Sequence, residues 1–166
     1  MNITVKLYKS ELIYDVQNDG HIIAQAKINK GTATKEAFGL QADNAADTKK
    51  LLRSMQTNVQ EVKNRISYFL QNSVSSQVAD NAQLSMTDAN DAIELTLIVS
   101  DRFNPSFIEP LTMHCHNFVL NRMLRDWFLA TSPELAQNYD KLAEAASINI
   151  QNSFVKLPPV APEHNS

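Results

Sequence analysis

With 166 residues and a formal net charge of −3, the chain is long enough to bury a core and too weakly charged for general attraction to nucleic acid or anionic membranes. Its single cysteine excludes an intrachain disulfide framework and fits a reducing compartment. No stretch approaches the roughly 20 apolar residues that cross a bilayer, and the N-terminal stretch carries charges where a signal peptide has an apolar run. We therefore expect a soluble protein, cytoplasmic when made, with no membrane partner and no sequence-specific nucleic-acid partner.

The N-terminal stretch begins with an alternating pattern. Ile3, Val5 and Leu7 alternate with polar residues, which predicts a short half-buried strand. Ser10 is a suitable N-cap for a short helix that ends near residues 18–20. A hairpin turning at Asp-Gly in the same place is the alternative, and residues 21–28 extend either form, so helix and hairpin both stay open for residues 9–28, with the helix favoured. Residues 29–43 have no apolar period and are predicted to form a loop.

The second element is an amphipathic helix over residues 47–71. Its apolar residues fall within an arc of about 100° at helical spacing, and its opposite face is polar and charged. The stripe consists of Leu51, Leu52, Met55, Val59, Val62, Ile66, Phe69 and Leu70. The charged face is interpreted as a solvated surface.

A Ser/Asn-rich link leads from this helix into a predicted hairpin. Leu84 and Met86 alternate with polar residues, and so do the apolar residues of a second run. That second run consists of Ile93, Leu95, Leu97 and Val99. The polar stretch Thr87–Ala92 between the two runs is predicted to be the hairpin loop.

A helix over residues 106–130 is predicted to be the centre of the fold, because its apolar face changes sides along its length. Phe107, Ile108, Leu111, Cys115 and Phe118 share one face, whereas Met123, Leu124, Trp127 and Phe128 lie on the other. Such a helix is best buried by different neighbours at its two ends. It begins either at a capping box formed by Ser106 and Glu109 or at Pro110.

The last helix is predicted over residues 133–156, with Ser132 as N-cap and Pro133 in the first position. Its stripe consists of Leu135, Tyr139, Leu142, Ala146, Ile150 and Phe154. Prolines then predict an extended tail over residues 157–166. The fold class is α+β and mostly helical, with three long helices, a short one and a small antiparallel sheet, in a single domain over residues 1–156.

No residue pattern identifies a reaction. The three glycines precede residue 40, so no glycine-rich phosphate loop follows, and no catalytic motif is present. His114 and His116 lie about 160° apart on a helix and cannot ligate one ion together, and Cys115 between them is predicted to be a core residue. We expect a non-enzymatic protein without metal or cofactor.

Three further groups of residues receive structural interpretations. Asp88, Asn90 and Asp91 resemble part of a calcium loop, but its glycine and closing glutamate are missing, so an acidic turn is favoured. Arg122 and Asp126 have the spacing of an ion pair along one helix. Trp127 and Tyr139 occur at core spacing. Leu97 and Leu111 are also predicted to lie in the core.

Two stretches carry a family resemblance. V-K-L-Y-K-S-E-L-I-Y-D-V-Q-N, residues 5–18, and R-D-W-F from Arg125, followed by Tyr139, resemble small uncharacterised proteins of prophage-like gene clusters in gut anaerobes. The layout also resembles the neck proteins of tailed phages, which connect head and tail. The resemblance implies a virion structural role with protein partners, either in a homo-oligomeric ring or among neighbouring virion proteins. The alternative is a cytoplasmic regulatory or binding module with a pocket between helices and sheet.

The proline-rich tail is the predicted partner contact. An extended segment loses little entropy when it docks on a neighbour. The contact residues would be Leu157, Pro158, Pro159, Val160 and Pro162. We expect the tail to be dispensable for folding.

Overall fold

The structure, a computed structural model, describes residues 1–31, 45–72 and 84–154. These residues form an α+β fold that is mostly helical, as predicted. In chain order the elements are β1 (Asn2–Tyr8), α1 (Lys9–Asn29), α2 (Ala45–Asn72), β2 (Leu84–Ala89), β3 (Ala92–Ile98), α3 (Ile108–Phe128) and α4 (Pro133–Asn152).

The described strands form one antiparallel sheet in the order β1-β3-β2. Ile3 lies opposite Leu97, and Leu7 lies opposite Ile93. One face of β1 and β3 is buried against the helices, through Ile3, Val5, Leu7, Ile93, Leu95 and Leu97. The alternation in the sequence predicted both strands correctly, because period-two apolar residues all point to the same face.

The hairpin between β2 and β3 is tighter than predicted. The expected loop Thr87–Ala92 is wrong, since β2 continues to Ala89 and only residues 90 and 91 connect the strands. Asn90 has a φ of 52°. Asparagine tolerates this left-handed conformation better than most residues, which permits the short connection.

After β1 the chain forms a helix, α1, and not the alternative hairpin, but this helix ends later than predicted. The helix does not stop near residues 18–20 but runs to Asn29, and it begins at Lys9, so Ser10 is not its N-cap. Leu12, Val16 and Ala24 are buried on one face together with Gly20. Burial of this face outweighs the cost of about 1 kcal/mol for a glycine inside a helix.

Helix α2 follows the prediction closely. Six residues of the predicted stripe are buried, Leu51, Met55, Val59, Val62, Ile66 and Leu70, and Leu52 and Phe69 pack partly buried against them. The buried Asn58 adds a polar side chain to this face. Its side chain donates to the backbone carbonyl of Ser54, 2.9 Å away.

Helix α3 is central, as predicted, and contacts α1, α2, α4 and β1. Neither predicted start is correct, because a 3₁₀ turn over Pro105–Phe107 precedes the helix, which begins at Ile108. The side chain of Asn104 caps this turn by accepting a hydrogen bond from the backbone N–H of Ser106 at 3.1 Å. Helix α3 is buried along its length, from its first half to its last turn. The buried apolar residues are Leu111, Cys115, Phe118, Val119, Met123, Leu124 and Phe128.

Helix α4 begins at Pro133 after Ser132, as predicted, but ends at Asn152 instead of residue 156. Phe154 leaves the helical path and contacts the ring of Phe103, with 6.3 Å between the centroids. The predicted stripe is also shifted, since Leu142 is 53% exposed. The buried face consists of Ala136, Ala143, Ala146, Ser147 and Ile150. Small side chains let α4 approach α3 closely, which apolar spacing alone did not indicate.

One buried cluster joins residues of all four helices with β1 and β3, and it includes Leu97 and Leu111. Both are fully buried, which confirms their assignment to the core. No helix in the described ranges is long and apolar enough to cross a membrane. The predicted tail over residues 157–166 and most of the loop predicted over residues 29–43 lie outside the described residues.

Candidate protein-binding groove

An open groove of about 770 Å³ lies where β1, α1 and α3 meet. It is lined by Lys6, Tyr8, Ser10, Glu11, Tyr14, Asp15, Glu109, Thr112, Met113 and His116. None of these residues belongs to the hydrophobic core. The groove is therefore a surface feature formed by the outward sides of three elements.

Apolar side chains are exposed within this groove. Tyr14 is 65% exposed, Met113 is 53% exposed and Tyr8 is 42% exposed. Tyrosine and methionine are common at protein interfaces, because they offer a large contact area that adapts to a partner. The sequence pattern did not predict a role for these residues. The signal that reveals them is an apolar side chain on the polar face of its own helix, as Tyr14 is on α1 and Met113 on α3.

One histidine–carboxylate pair among the lining residues joins α3 to α1. Nε2 of His116 lies 2.8 Å from Oδ2 of Asp15, and both side chains are partly exposed. The contact fixes the imidazole with its Nε2–H donating to the carboxylate. It also ties α3 to α1.

His114 and Cys115, the two residues before His116, do not line the groove. Cys115 is fully buried, which confirms it as a core residue, and burial raises the pKa of its thiol to about 12. Among the residues in the described ranges, no three His, Cys, Asp or Glu side chains are grouped so that they can hold a metal ion.

The free edge of β1 adjoins the groove. Met1 and Val99 exchange two backbone hydrogen bonds, each 2.9 Å long, and this sets the phase of the antiparallel ladder. Because hydrogen-bonded pairs alternate along such a ladder, Ile3, Val5 and Leu7 direct their N–H and C=O groups toward β3. The backbone groups of Thr4 and Lys6 therefore point away from the sheet. In the described part of the chain, no strand pairs with this edge.

The tip of the hairpin holds the wall of the groove in place. The carboxylate of Asp91 accepts a hydrogen bond from the backbone N–H of Ser10 at 2.9 Å, and the backbone N–H of Lys9 donates to the carbonyl of Asp91 at 2.8 Å. Lys9 also forms an ion pair with Asp88. The predicted acidic turn thus caps the first turn of α1, whose Ser10 and Glu11 line the groove.

A second polar cluster, remote from the groove, lies between α2, α3 and α4. Arg122 is its centre, with a side chain only 8% exposed and hydrogen bonds to Asp140, Glu144 and Glu61. Arg65 forms two bonds of 2.9 Å with the carboxylate of Glu144, and these bonds hold the pKa of that carboxyl below its usual range. The predicted pair of Arg122 with Asp126 is wrong, because Arg122 faces α4 instead.

Asp126 has different partners. Its carboxylate accepts from Ser54 at 2.7 Å, from Asn58 at 3.0 Å and from Arg125 at 2.7 Å. Burial raises the pKa of Asp126, but these hydrogen bonds outweigh burial and hold it below the usual value. Both groups of charges join helices to one another, and we interpret them as structural.

The two aromatic residues assigned to core spacing are partly buried against the core. The ring of Tyr139 stacks on Phe128, with 5.9 Å between centroids, and the ring of Trp127 lies 5.1 Å from the ammonium nitrogen of Lys50. The predicted partner contact at Leu157, Pro158, Pro159, Val160 and Pro162 lies outside the described residues.

A comparison of the chain with protein-family models, with curated proteins and with solved structures finds no match. The class of the protein therefore rests on its fold, a mostly helical α+β arrangement in which the described residues form a surface groove beside the edge strand β1.

Proposed function

We propose that this chain is a non-enzymatic assembly protein that holds another protein in the groove between β1, α1 and α3. The observation that carries the proposal is the exposure of Tyr8, Tyr14 and Met113 in one open groove. Small-molecule pockets usually enclose most of their ligand. A wide groove with adaptable apolar residues fits a protein segment better.

The setting we propose is the neck of a phage-type particle, where the chain connects head and tail. This step depends on the resemblance of residues 5–18 to prophage-encoded proteins. The same residues supply Lys6, Tyr8, Ser10, Glu11, Tyr14 and Asp15 to the groove. The resembling stretch and the groove wall are thus largely the same surface. The protein would be cytoplasmic when made and part of the virion afterwards, in a homo-oligomeric ring or beside neighbouring virion proteins.

A genetic experiment tests this proposal. The gene is deleted from its native genome, particle production is induced, and complete tailed particles are counted by electron microscopy. We expect heads and tails that are not joined, with tailed particles restored by the wild-type gene. Normal numbers of tailed particles without the gene would contradict the assembly role.

Complementation with variants then tests the groove. The double variant Tyr14→Ser and Met113→Ser should fail to restore tailed particles, since it removes the exposed apolar contacts. Leu142→Ser is the matched control, because Leu142 is equally exposed on α4 but lies outside the groove. Full complementation by the double variant would assign assembly to another surface.

A cytoplasmic binding module of unknown ligand is the second candidate function. The position of the groove between two helices and the sheet favours it. It would be preferred if particles assemble normally without the gene while the groove variants still change a property of the cell.

A further inference from the structure

We infer that the groove receives an extended, basic segment of another protein, which adds to β1 as a further strand of the sheet. The inference rests on the proposed protein-binding function and names the chemistry of the partner. Among the strands that the structure describes, none pairs with the outer edge of β1, where the N–H and C=O groups of Thr4 and Lys6 point outward. A row of unpaired backbone groups on an edge strand is a template for pairing with another chain.

The groove lies along this same edge. Lys6 and Tyr8 alternate with the buried residues of β1, so their side chains belong to the outer face of the sheet. Thr112, Met113 and His116 belong to α3, which packs on the inner face. A groove lined from both faces has to pass across the edge of the sheet. A segment lying in it would therefore run beside the outward backbone groups.

The charges at the groove select a basic partner. Glu11, Asp15 and Glu109 contribute three carboxylates, whereas Lys6 is the one lysine or arginine among the lining residues that the structure describes. The Lys6 ammonium group is already paired with Glu94 at 2.8 Å, and Asp15 is paired with His116, which leaves the carboxylates of Glu11 and Glu109 in excess. Lysine or arginine side chains of an added strand would meet these carboxylates, and the exposed ring of Tyr14 offers such cations a favourable face.

A second copy of this chain fits the edge less well. Antiparallel pairing of two β1 edges about a twofold axis perpendicular to the sheet would place the helices α1 and α3 of both copies on the same side of one continuous sheet. Glu11 and Glu109 of each copy would then approach the carboxylates of the other. Like charges brought together in this way disfavour the dimer, so a basic foreign segment is the better occupant.

The binding test uses a defined probe. A fluorescent peptide of about seven residues that alternates lysine with valine matches the length and alternation of β1. We expect it to bind, with affinity falling as salt rises. Hydrogen exchange at the amides of Thr4 and Lys6 should slow when it is bound. The same peptide with alternate backbone amides N-methylated should bind at least about tenfold more weakly, because it cannot form the ladder.

Two kinds of variant locate the site. Thr4→Pro removes an outward N–H without removing a bond to β3, and an edge strand accepts proline at such a position. It should keep the fold, as judged by circular dichroism, and lose at least about tenfold in affinity. Glu11→Lys and Glu109→Lys should each weaken binding, whereas Glu134→Lys should not. All three glutamates lie in the first turn of a helix, so the control matches their effect on the helix dipole.

Three outcomes would overturn the inference. They are no binding of the lysine–valine peptide, equal binding of its N-methylated form, and a dimer of the chain that Thr4→Pro dissociates. The proposed assembly function fails separately, through normal particles in the deletion strain. If the deletion strain lacks tailed particles while the peptide does not bind, the assembly role stands and strand addition is wrong.

Discussion

The carboxylate of Asp91 accepts a hydrogen bond from the backbone N–H of Ser10, although the two residues are 81 positions apart in the sequence. The hydroxyl of Ser10 donates to the other oxygen of the same carboxylate. The first turn of a helix has backbone N–H groups without partners inside the helix. For α1, a side chain from the hairpin supplies the missing acceptor, and it joins the sheet to the wall of the groove.

Asp91→Ala should lower the free energy of unfolding by about 1–2 kcal/mol, the usual cost of losing a capping side chain. Urea unfolding followed by circular dichroism measures the change. Asp91→Asn is the matched control, since its side-chain oxygen still accepts from the N–H of Ser10, and it should lose less. Equal stability of Asp91→Ala and the wild type would show that this cap contributes nothing.

Arg122 should matter more to stability than any other charged residue of its cluster. Its guanidinium is buried against the ring of Phe118, 5.3 Å from the centroid, and bonds to carboxylates from α2 and α4. Arg122→Ala removes both the packing and the link between helices, so we expect a loss of about 3 kcal/mol in the free energy of unfolding.

Arg125→Ala provides the comparison for Arg122. Arg125 binds Asp126 and Asp140, but its side chain is 28% exposed. The substitution should therefore lower the free energy of unfolding by less than about 1 kcal/mol. Denaturant melts of the two variants measure the difference. Equal losses would mean that burial does not distinguish the two arginines.

Stability should decrease in acid because of Asp126 and Glu144. Both carboxyls have a pKa below their ordinary values of 3.8 and 4.5 in the folded chain. A carboxyl whose pKa is lower in the folded chain stabilises the fold through its ionised form. This contribution is complete at a pH above the ordinary pKa, and it is lost as the pH falls through the lowered pKa. The free energy of unfolding should therefore drop below about pH 5.

Asp126→Asn separates the contribution of Asp126 from the rest. The variant should be less stable than the wild type at neutral pH, because the bonds from Ser54 and Arg125 lose their charged acceptor. Its stability should also fall less steeply in acid. An unchanged slope in a pH series of urea melts would assign the acid sensitivity to other groups.

Asp19→Asn should stabilise the protein at neutral pH. Burial, and then the neighbouring charge of Asp15, raise the pKa of Asp19 in the folded chain. A carboxyl whose pKa is raised in the folded chain destabilises the fold when it is ionised. The destabilisation is complete at a pH above the folded pKa and absent at a pH below the ordinary pKa. Because the residue is partly exposed, we expect a gain of less than about 1 kcal/mol. The gain should vanish near about pH 3, and a variant less stable than the wild type at neutral pH would contradict this account.

The elements that the sequence predicted correctly are those in which the spacing of the apolar residues alone marks the buried face. Helix α2 presents a regular stripe from Leu51 to Leu70, and β1 and β3 alternate strictly, so periodicity alone located them. Helix α1 was predicted too short because Gly20 is a local stop signal. Its continuation depends on the packing of Ala24, which local propensity does not include.

The candidate site was less predictable, because it depends on partners that are distant in sequence. Asp15 meets His116 across 101 positions, and Asp91 meets Ser10 across 81. Helical spacing suggested Asp126 as the partner of Arg122, whereas the fold brings Asp140 and Glu144 closer. Spacing within one helix does not show which face a neighbouring helix covers.

The pairing of β1 with β3 has a consequence for the order of folding. Met1 and Val99 meet across 98 positions, whereas β2–β3 and α3–α4 join segments that are close in the chain. Closing a long loop costs entropy that only the finished contacts repay, so we expect β1 to dock late. The edge of β1 exists as a template only after that step. A partner that recognises this edge would therefore select chains that have completed folding, and the order of events during folding would also control when assembly can begin.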